Sequence, residues 1–166
     1  MLSKLDEIDI KLLFHLQKSA RISAQEISKK IHLSANAVRA RIRRLEDQGY
    51  IKQYATVLNK NMINKKLVSL TGITLHHNGN GNLLSFLEFV KETPEVGICY
   101  HVNETFDFFL YVVVTDIQDY HNFLINKLSL IDCVSRIKSF FVLDEIGTAH
   151  MIDLSPLMNR FNRKRR

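Results

Sequence analysis

The chain is short of the features that mark secreted, membrane-spanning or metal-dependent proteins. Its 166 residues include only two cysteines, Cys99 and Cys133, which lack the spacing of a metal or redox site. The longest apolar run, Phe108–Val114, has seven residues, whereas a membrane-spanning helix needs roughly 20. Acidic residues occupy the N-terminal positions where a signal peptide has its apolar core. These absences predict a cytoplasmic protein with two buried, reduced thiols and without a membrane segment, a metal site or a cofactor.

The sequence also lacks the motifs that carry common enzyme chemistry. It contains neither a His-Glu-x-x-His metal motif nor a glycine-rich phosphate loop, and no arrangement of serine, histidine and aspartate can be aligned. An enzyme could be argued from His76, His77 and His101, but lone histidines are mostly structural or solvent-facing. We therefore expect no catalytic residues, and a binding function instead of an enzymatic one.

Positive charge is unevenly distributed along the chain. Residues 1–60 contain 12 Lys+Arg against 6 Asp+Glu, residues 61–154 contain 6 against 11, and residues 155–166 contain 5 against none. A basic first third followed by an acidic middle indicates two units with different electrostatic roles. The first unit is therefore the candidate for binding a polyanion.

Start and stop signals predict three short helices in the first sixty residues. The first begins near Asp6 and runs to about residue 17. The second begins with the capping box Ser23–Glu26, and the third runs from the N-cap Ser34 to the left-handed stop Gly49. Because so few residues separate the second helix from the third, they must cross at a steep angle, which is helix-turn-helix geometry.

The third predicted helix carries four arginines within residues 39–44. Arginine binds guanine edges bidentately and asparagine matches adenine, and the N-terminal turn of such a helix contacts the bases. The residues expected to contact base edges of double-stranded DNA are Ser34, Asn36, Ala37 and Arg39. The alternative is a solvated basic helix that binds nothing.

The remaining arginines of this helix have other expected roles. Arg43 and Arg44 are expected to contact phosphates, which position a protein without specifying sequence. Arg41 is a further DNA-binding candidate, although an acid such as Glu7 or Glu46 could instead hold it within the domain.

A change of pattern after Gly49 predicts where the first domain ends. Residues 50–58 alternate weakly and are rich in strand formers, which predicts a short hairpin or an extended arm, a small wing. Residues 59–66 are polar and without a firm pattern. We expect a winged helix-turn-helix domain at residues 1–58 and a linker at 59–66.

Residues 67–154 have the alternating pattern of a sheet domain. Strands are predicted at Leu67–Leu75, Val96–Val102, Phe106–Val114 and Val134–Leu143, with a loop at residues 76–82 and helices at Leu83–Lys91 and from Asp116 to about Leu128. This β-α-β-β-α-β order predicts a ferredoxin-like domain, and the whole chain is then of the α+β class. Apolar residues on both faces of the third strand indicate that the uncovered face of the sheet packs on a second subunit, giving a homodimer.

The chain resembles the leucine-responsive and asparagine-responsive (Lrp/AsnC) transcription regulators along nearly its whole length. The matching segments of the first half, which need no gaps, are Leu5–Asp9, Arg21–Ser23, Leu33–Ser34, Arg41–Glu46 and Gly49–Ile51. Those of the second half, similar to strands of the family's effector domain, are Pro94–Val96, Cys99–Val102 and Phe106–Leu110. The resemblance implies dimers that often assemble further into octamers, with an amino acid or a related small molecule bound between dimers.

The resemblance also implies an effector site, from which this chain departs at one position. By position, the effector-binding candidates are Tyr100, His101, Glu104, Thr105 and Asp107, although packing, a turn cap or plain exposure could explain each of them. The family commonly has glycine where Glu104 stands. Glutamate forfeits the positive φ that glycine permits, and Asn103 is the better residue for a left-handed position. Because a carboxylate there would repel that of an amino acid, we expect altered ligand choice or no ligand.

The end of the chain is strongly basic. Residues 155–166 are expected to be a disordered basic tail, which either adds nonspecific phosphate contacts or is only solvated.

One alternative function is an architectural DNA-binding protein that senses no ligand. The other is a tetrapyrrole decarboxylase, because some relatives of the family have that activity, but such an enzyme would not need the arginines of residues 39–44.

Overall fold

The computed structural model describes residues 5–76, 80–146 and 151–163. The chain forms two compact units, one made of residues 1–57 together with 147–166 and the other of residues 58–146. We refer to them as the N-terminal unit and the sheet unit. None of the described helices combines the length and the apolar character that crossing a bilayer requires.

Three helices share one apolar cluster in the N-terminal unit: α1 (Glu7–Lys18), α2 (Ala24–Ile31) and α3 (Ala35–Asp47). The buried members of the cluster are Leu12, Leu16, Ile27, Ile31, Val38 and Leu45. Burying one such side chain stabilises a fold by about 1.5–3 kcal/mol. The cluster therefore decides which face of α3 turns inward and which remains exposed.

Side-chain caps begin all three helices. Asp6 accepts a hydrogen bond from the backbone amide of Asp9, whose carboxylate accepts one from the amide of Asp6. Ser23 and Glu26 form the same reciprocal pair, and Ser34 caps α3. Each cap satisfies amides that the first turn of a helix leaves unpaired, typically a contribution of about 1 kcal/mol. The capping predicted at Ser23 and Ser34 is confirmed.

The sheet unit has six main elements. In chain order they are β1 (Leu67–Leu75), α4 (Asn80–Glu92), β2 (Val96–His101), β3 (Phe108–Val114), α5 (Ile117–Asn126) and β4 (Val134–Phe141), with a 3-10 turn at Leu128–Leu130. The strands form one antiparallel sheet in the order β2-β3-β1-β4. The predicted α+β class and the ferredoxin-like arrangement are confirmed.

The two faces of this sheet differ in burial. The buried β3 residues that pack with α4 and α5 are Phe108, Leu110, Val112 and Val114. On the other face, the register aligns Leu70 of β1 with Tyr111 of β3 and with Phe140 of β4. Leu70 and Phe140 are 39% and 40% exposed. Within the single chain, apolar side chains on this open face therefore remain in contact with solvent.

Some boundaries differ from the predictions. Residues 52–59 contain neither helix nor strand, so of the two forms expected there the hairpin is wrong and the arm is what the chain has. Helix α4 begins at Asn80, inside the predicted loop, whose residues 77–79 lie outside the described residues. The predicted linker, residues 59–66, belongs to the sheet unit. Of the two free cysteines, Cys133 is buried but Cys99 is only half-buried, and burial raises the pKa of both thiols.

The end of the chain departs most from its prediction. The residues expected to be disordered form α6 (Ser155–Arg163), and residues 147–166 belong to the N-terminal unit. Helix α6 packs on α1, where the Gln17 amide donates to the carbonyl of Ile152 at 2.8 Å and accepts from its N–H at 3.2 Å. The half-buried residues Leu154, Leu157, Met158 and Phe161 have the spacing of an amphipathic helix. The prediction of a disordered tail is therefore wrong for residues 155–163.

Candidate nucleic-acid interface and effector loop

One face of α3 presents a carboxamide and two guanidinium groups to solvent. Asn36, Arg39 and Arg43 are exposed and lie three and four residues apart, which is one face of an α-helix. An Arg39 Nη2 donor binds Asn36 Oδ1 at 2.5 Å. This bond leaves the NH₂ group of Asn36 and the other N–H donors of Arg39 available for a ligand.

The other two predicted base-contacting residues lie in the same first turn. The Ser34 hydroxyl accepts from the backbone amide of Ala37 at 3.2 Å and keeps its own O–H to donate. Ala37 is half-buried, so it offers a small surface that lets another backbone approach closely. All four predicted residues thus lie within residues 34–39, at the N-terminal end of α3.

The other arginines of α3 contact α1. Arg41 Nη1 donates to Asp6 Oδ2 at 2.6 Å and to Asp9 Oδ1 at 2.8 Å, and Arg44 Nη2 lies 2.5 Å from the same Asp9 oxygen. Asp9 is completely buried. A buried carboxylate is tolerated when cations and hydrogen bonds satisfy its oxygens. We call Asp6, Asp9, Arg41 and Arg44 the Asp9 anchor, because it fastens α3 to α1.

The Asp9 anchor changes the expected partners of Arg41. The sequence suggested Glu7 or Glu46 as the acid that could hold it, whereas the anchor uses the two aspartates at the start of α1. Glu46 instead accepts a hydrogen bond from the Tyr54 hydroxyl at 2.7 Å. Partial burial, with this hydrogen bond adding to it, raises the pKa of Tyr54 to about 12. The sequence does contain a signal for this pairing. Two aspartates lie three residues apart at the start of one helix, and a run of arginines lies on another.

The anchor also shifts the acidity of its members. The hydrogen bond to Asp6 raises the pKa of the Arg41 guanidinium, and that to Asp9 adds to the effect. Partial burial acts to raise the pKa of Asp6. The hydrogen bonds from the Asp9 amide and from Arg41 outweigh burial, however, so that this pKa lies below its usual value. Arg41 and Asp6 are therefore both charged at neutral pH.

Residues 102–107 join β2 to β3. Three of the residues predicted to bind an effector lie in this segment (Glu104, Thr105 and Asp107), and for that prediction we call it the effector loop. Glu104 has a φ of 93°, a left-handed conformation that costs a non-glycine residue about 1–3 kcal/mol. The expectation that glutamate forfeits this conformation in favour of Asn103 is wrong, because Glu104 itself adopts it. The loop has therefore kept a backbone suited to glycine while carrying an exposed carboxylate.

Asp107 holds this loop in place. Its carboxylate accepts from the backbone amide of Leu75 at 2.7 Å, and its own amide donates to the carbonyl of Ile73 at 2.8 Å. Its carbonyl accepts from the amide of Val102 at 2.9 Å. These bonds fix Asp107 to β1 and tie Val102, at the other end of the loop, to Asp107, which explains how the strained residue between them persists.

The other effector candidates lie on or beside β2. Tyr100 is 53% exposed, and His101 and Thr105 are also exposed. The His101 ring stacks on Phe108, with centroids 4.7 Å apart and planes 20° apart. The hairpin formed by β2 and β3 thus brings four exposed candidates to one end of the sheet: Tyr100, His101, Glu104 and Thr105. Asp107 holds the turn between the two strands.

Known proteins resemble this chain along most of its length. Residues 5–52 match the model described as winged helix-turn-helix DNA-binding, and residues 69–151 match that of the Lrp/AsnC ligand binding domain. The Bkd operon transcriptional regulator of Pseudomonas aeruginosa is 32% identical over 145 residues, which are 87% of this chain and 95% of that protein. The leucine-responsive regulatory protein of Escherichia coli (strain K12) is 33% identical over 148 residues, 89% of this chain and 90% of that protein. The chain belongs to the Lrp/AsnC family.

A solved structure agrees with this assignment. A transcriptional regulator of Neisseria meningitidis, crystallised as its complex with L-Met, has a TM-score of 0.89 and 29% sequence identity, over 93% of this chain and 99% of that one. This Lrp/AsnC chain is accordingly a transcriptional regulator with a DNA-binding helix-turn-helix and an amino-acid-binding domain. The relatives named above are regulators and not enzymes, which removes the decarboxylase alternative.

Proposed function

We propose that the exposed face of α3 contacts base edges in the major groove of duplex DNA and so gives this regulator its sequence specificity. The hydrogen-bonded pair Asn36–Arg39 carries the proposal, because its free amide and guanidinium donors match the edges of adenine and guanine. Ser34 and Ala37 lie in the same turn and complete the base-contacting set. Arg43, exposed one turn further along, is assigned to a phosphate.

The two anchor arginines have a different part in this proposal. Arg41 positions α3 on α1 and contributes to DNA binding through that positioning. The side chain of Arg44 is 43% exposed, so its remaining N–H donors can reach a phosphate while Asp9 holds the rest.

Salt-dependent titration tests the DNA proposal. The full-length protein is titrated onto a duplex from its own upstream region and onto a shuffled duplex. We expect a preference of at least about a thousandfold and a steep loss of affinity as salt rises. No binding to either duplex at low salt would contradict the proposal, and a steep salt dependence without preference would favour an architectural role.

We propose that the effector is a free amino acid bound at the effector loop. The L-Met complex of the Neisseria meningitidis regulator supports this ligand class. The Glu104 carboxylate repels anionic groups and favours a cationic or amine group, so we expect the preferred ligand to differ from that of a relative with glycine there. A thermal-unfolding panel of the standard amino acids tests this, since a ligand at 100 times its Kd stabilises by about 2.7 kcal/mol. A flat panel would contradict it.

We also propose that the open face of the sheet forms a homodimer, which can assemble further into octamers. The exposed apolar and aromatic side chains on this face support it. Two cations lie over aromatic rings of the same region: Arg136 is 5.3 Å from the Phe106 ring and Lys138 is 5.2 Å from the Phe140 ring. Gly72 lets the Phe106 ring lie against the sheet, because a Cβ there would come within 2.9 Å of it. A two-fold dimer requires a palindromic DNA site. Light scattering should show that Leu70→Lys lowers the molar mass, and an unchanged mass would contradict this interface.

A further inference from the structure

A groove lies between α1 and the segment of the chain that leads into α6. Its volume is about 510 Å³, within the range of roughly 300–1,000 Å³ that is typical of pockets for small molecules. Lys11, Phe14 and Gln17 of α1 form one wall, and residues from 151–159 form the other. Both walls belong to the N-terminal unit. We call this cavity the α1–α6 groove.

Hydrogen bonds within the chain fix the two walls. The side-chain amide of Gln17 joins them, because it both donates to and accepts from the backbone of Ile152. The Asp153 carboxylate accepts from the amide of Ser155 at 2.9 Å, at the start of α6. The groove is therefore formed before any ligand arrives, which lowers the cost of ordering the site on binding.

Half of the lining is apolar. The apolar members are Phe14, Met151, Ile152, Leu154 and Met158. Phe14 and Met151 are 39% and 41% exposed, so they remain accessible to a ligand. Methionine is flexible and polarisable, and its sulfur makes favourable contacts with aromatic rings. This part of the groove therefore suits the apolar body of a small molecule, and an aromatic body in particular.

Cations border the apolar wall of α1. Lys11, Phe14 and Lys18 lie three and four residues apart, on one face of the helix, and Lys18 Nζ is 4.2 Å from the centroid of the Phe14 ring. The ammonium group of Lys11 lies 2.9 Å from Glu7, in an exposed pair of the kind that contributes little to stability. An ammonium group has three donors, so Lys11 can also donate to an anionic ligand.

The balance of charge favours an anion in the groove. Asp153 is an acidic member of the lining, but its carboxylate is engaged at the start of α6, and hydrogen bonds from Ser155 lower its pKa. Around it, residues 1–57 contain 11 Lys+Arg against 6 Asp+Glu, and residues 147–166 contain 5 against 1. The positive field of such a unit attracts an anionic group and repels a cationic one.

We propose that the α1–α6 groove binds an amphipathic monocarboxylate with an aromatic body. The carboxylate binds the ammonium group of Lys11, and the body packs against Phe14, Met151 and Met158. The site lies in the N-terminal unit and contains none of the effector-loop residues. It therefore does not rest on the amino-acid site proposed at that loop, and its ligand needs no ammonium group.

The test is a ¹H–¹⁵N NMR titration of the full-length protein with three probes that share one phenylpropyl body. 3-Phenylpropanoate carries a carboxylate, 3-phenylpropylamine carries an ammonium group, and 3-phenyl-1-propanol is uncharged. We expect saturable shifts at the amides of Phe14, Gln17 and Asn159 with 3-phenylpropanoate. The alcohol should bind at least about threefold more weakly, and the amine at least about tenfold. Equal binding of the three probes, or no shift at these amides, would overturn the proposal.

A charge-removing variant locates the head group of the ligand. Lys11→Met keeps the apolar stem of the side chain and removes its charge. It should lower the affinity for 3-phenylpropanoate to that for the alcohol, and it should leave binding of the alcohol unchanged. Lys29→Met, at an exposed lysine of α2, is the matched control and should change neither affinity. Equal losses from both variants would attribute binding to the general charge of the unit and would contradict the site.

A charge-adding variant reverses the expected preference. Asn159 is exposed on the α6 wall, and Asn159→Asp places an anion in the groove. It should weaken binding of 3-phenylpropanoate and strengthen that of 3-phenylpropylamine, whereas unchanged affinities would contradict the proposal.

Two other occupants are separated by the same spectra. Shifts confined to the effector loop and lost in Thr105→Ala would place the probe at that loop and refute the groove site. Shifts of the groove amides on dilution of the protein, without any probe, would show that a second copy of the chain fills the groove, and would also refute the proposal.

Discussion

Arg39 and Arg41 stand two residues apart on α3, yet their guanidinium groups have different surroundings. Arg39 is exposed and binds Asn36 of its own helix, whereas Arg41 donates to two aspartates of α1. Two residues correspond to a rotation of about 200° around a helix, so the side chains project to nearly opposite sides. The number of arginines on a basic helix is therefore not the number of its DNA contacts, since some of them hold the helix in place.

Loss of Asp9 should have the largest effect, because both Arg41 and Arg44 bind its carboxylate. Asp9→Ala leaves Arg41 and Arg44 without their shared partner, and we expect it to lower the free energy of unfolding of the N-terminal unit by about 2–3 kcal/mol. This is less than for a fully buried pair, because both guanidinium groups stay partly exposed. Hydrogen exchange of the α1 amides measures the loss. Asp47→Ala, at an exposed acid of α3, is the control and should stay within about 0.5 kcal/mol. Equal effects of the two would show that the anchor does not stabilise the unit.

Arg39→Ala tests the proposed contact of Arg39 with a base. Loss of its guanidinium should weaken binding to the specific duplex by about 1–3 kcal/mol and relax the base preference, with little change in stability. Arg44→Ala should instead weaken binding to all duplexes alike. Fluorescence anisotropy with specific and shuffled duplexes distinguishes these patterns. Uniform losses from both substitutions would contradict the assigned roles.

In the sheet unit, substitution of Glu104 tests the cost of its left-handed backbone conformation. Glu104→Gly should raise the free energy of unfolding of this unit by about 1 kcal/mol, because relief of the left-handed strain exceeds the entropy that glycine costs. Glu104→Ala removes the same carboxylate but keeps a Cβ, and should therefore give little or no gain. Hydrogen exchange of the β3 amides measures both. Equal stabilisation by the two variants would attribute the effect to charge and not to strain.

We expect substitution of Asp6 to have the smallest effect on stability. The lowered pKa of Asp6 fixes the sign of its pH dependence. Its pKa is lowered in the folded state, so its charge stabilises the N-terminal unit above the unfolded value of about 3.9, and this contribution is lost as pH falls through the folded pKa. Asp6→Asn keeps a capping side chain but removes the charge. The variant should be less stable by up to about 1 kcal/mol at pH 7. Thermal unfolding from pH 7 to pH 2 should show this gap closing, and a constant gap would contradict the account.

Local signals in the sequence accounted for most of the fold. The capping residues Ser23 and Ser34 predicted where α2 and α3 begin, because a cap bonds to amides within three residues. Alternation predicted β1 with the bounds that the structure has. The base-contacting turn followed from the same local logic, since Ser34 and Arg39 lie on one short helix. The roles of these residues in DNA binding stay a prediction.

Features that depend on distant contacts were missed. The carboxylate of Asp9 meets Arg41 from 32 positions away, and no spacing rule identifies which acid folds onto which arginine. Helix α6 was hidden because its basic residues suggested a tail, although Leu154 and Met158 begin an apolar stripe that predicts a helix. The conformation of Glu104 was missed because intrinsic preference disfavours it, and the bonds of Asp107 to β1 override that preference.

In the DNA complex, we expect Arg39 to contact DNA while Arg41 remains on Asp9. This expectation is tested most directly by ¹⁵N NMR of the arginine Nε groups during titration of the full-length protein with its upstream duplex. The account predicts that the Arg39 resonance shifts as the complex forms, whereas the Arg41 resonance keeps its free-protein position. An Arg41 resonance that moves as far as that of Arg39, or an Arg39 resonance that does not move at saturation, would contradict it.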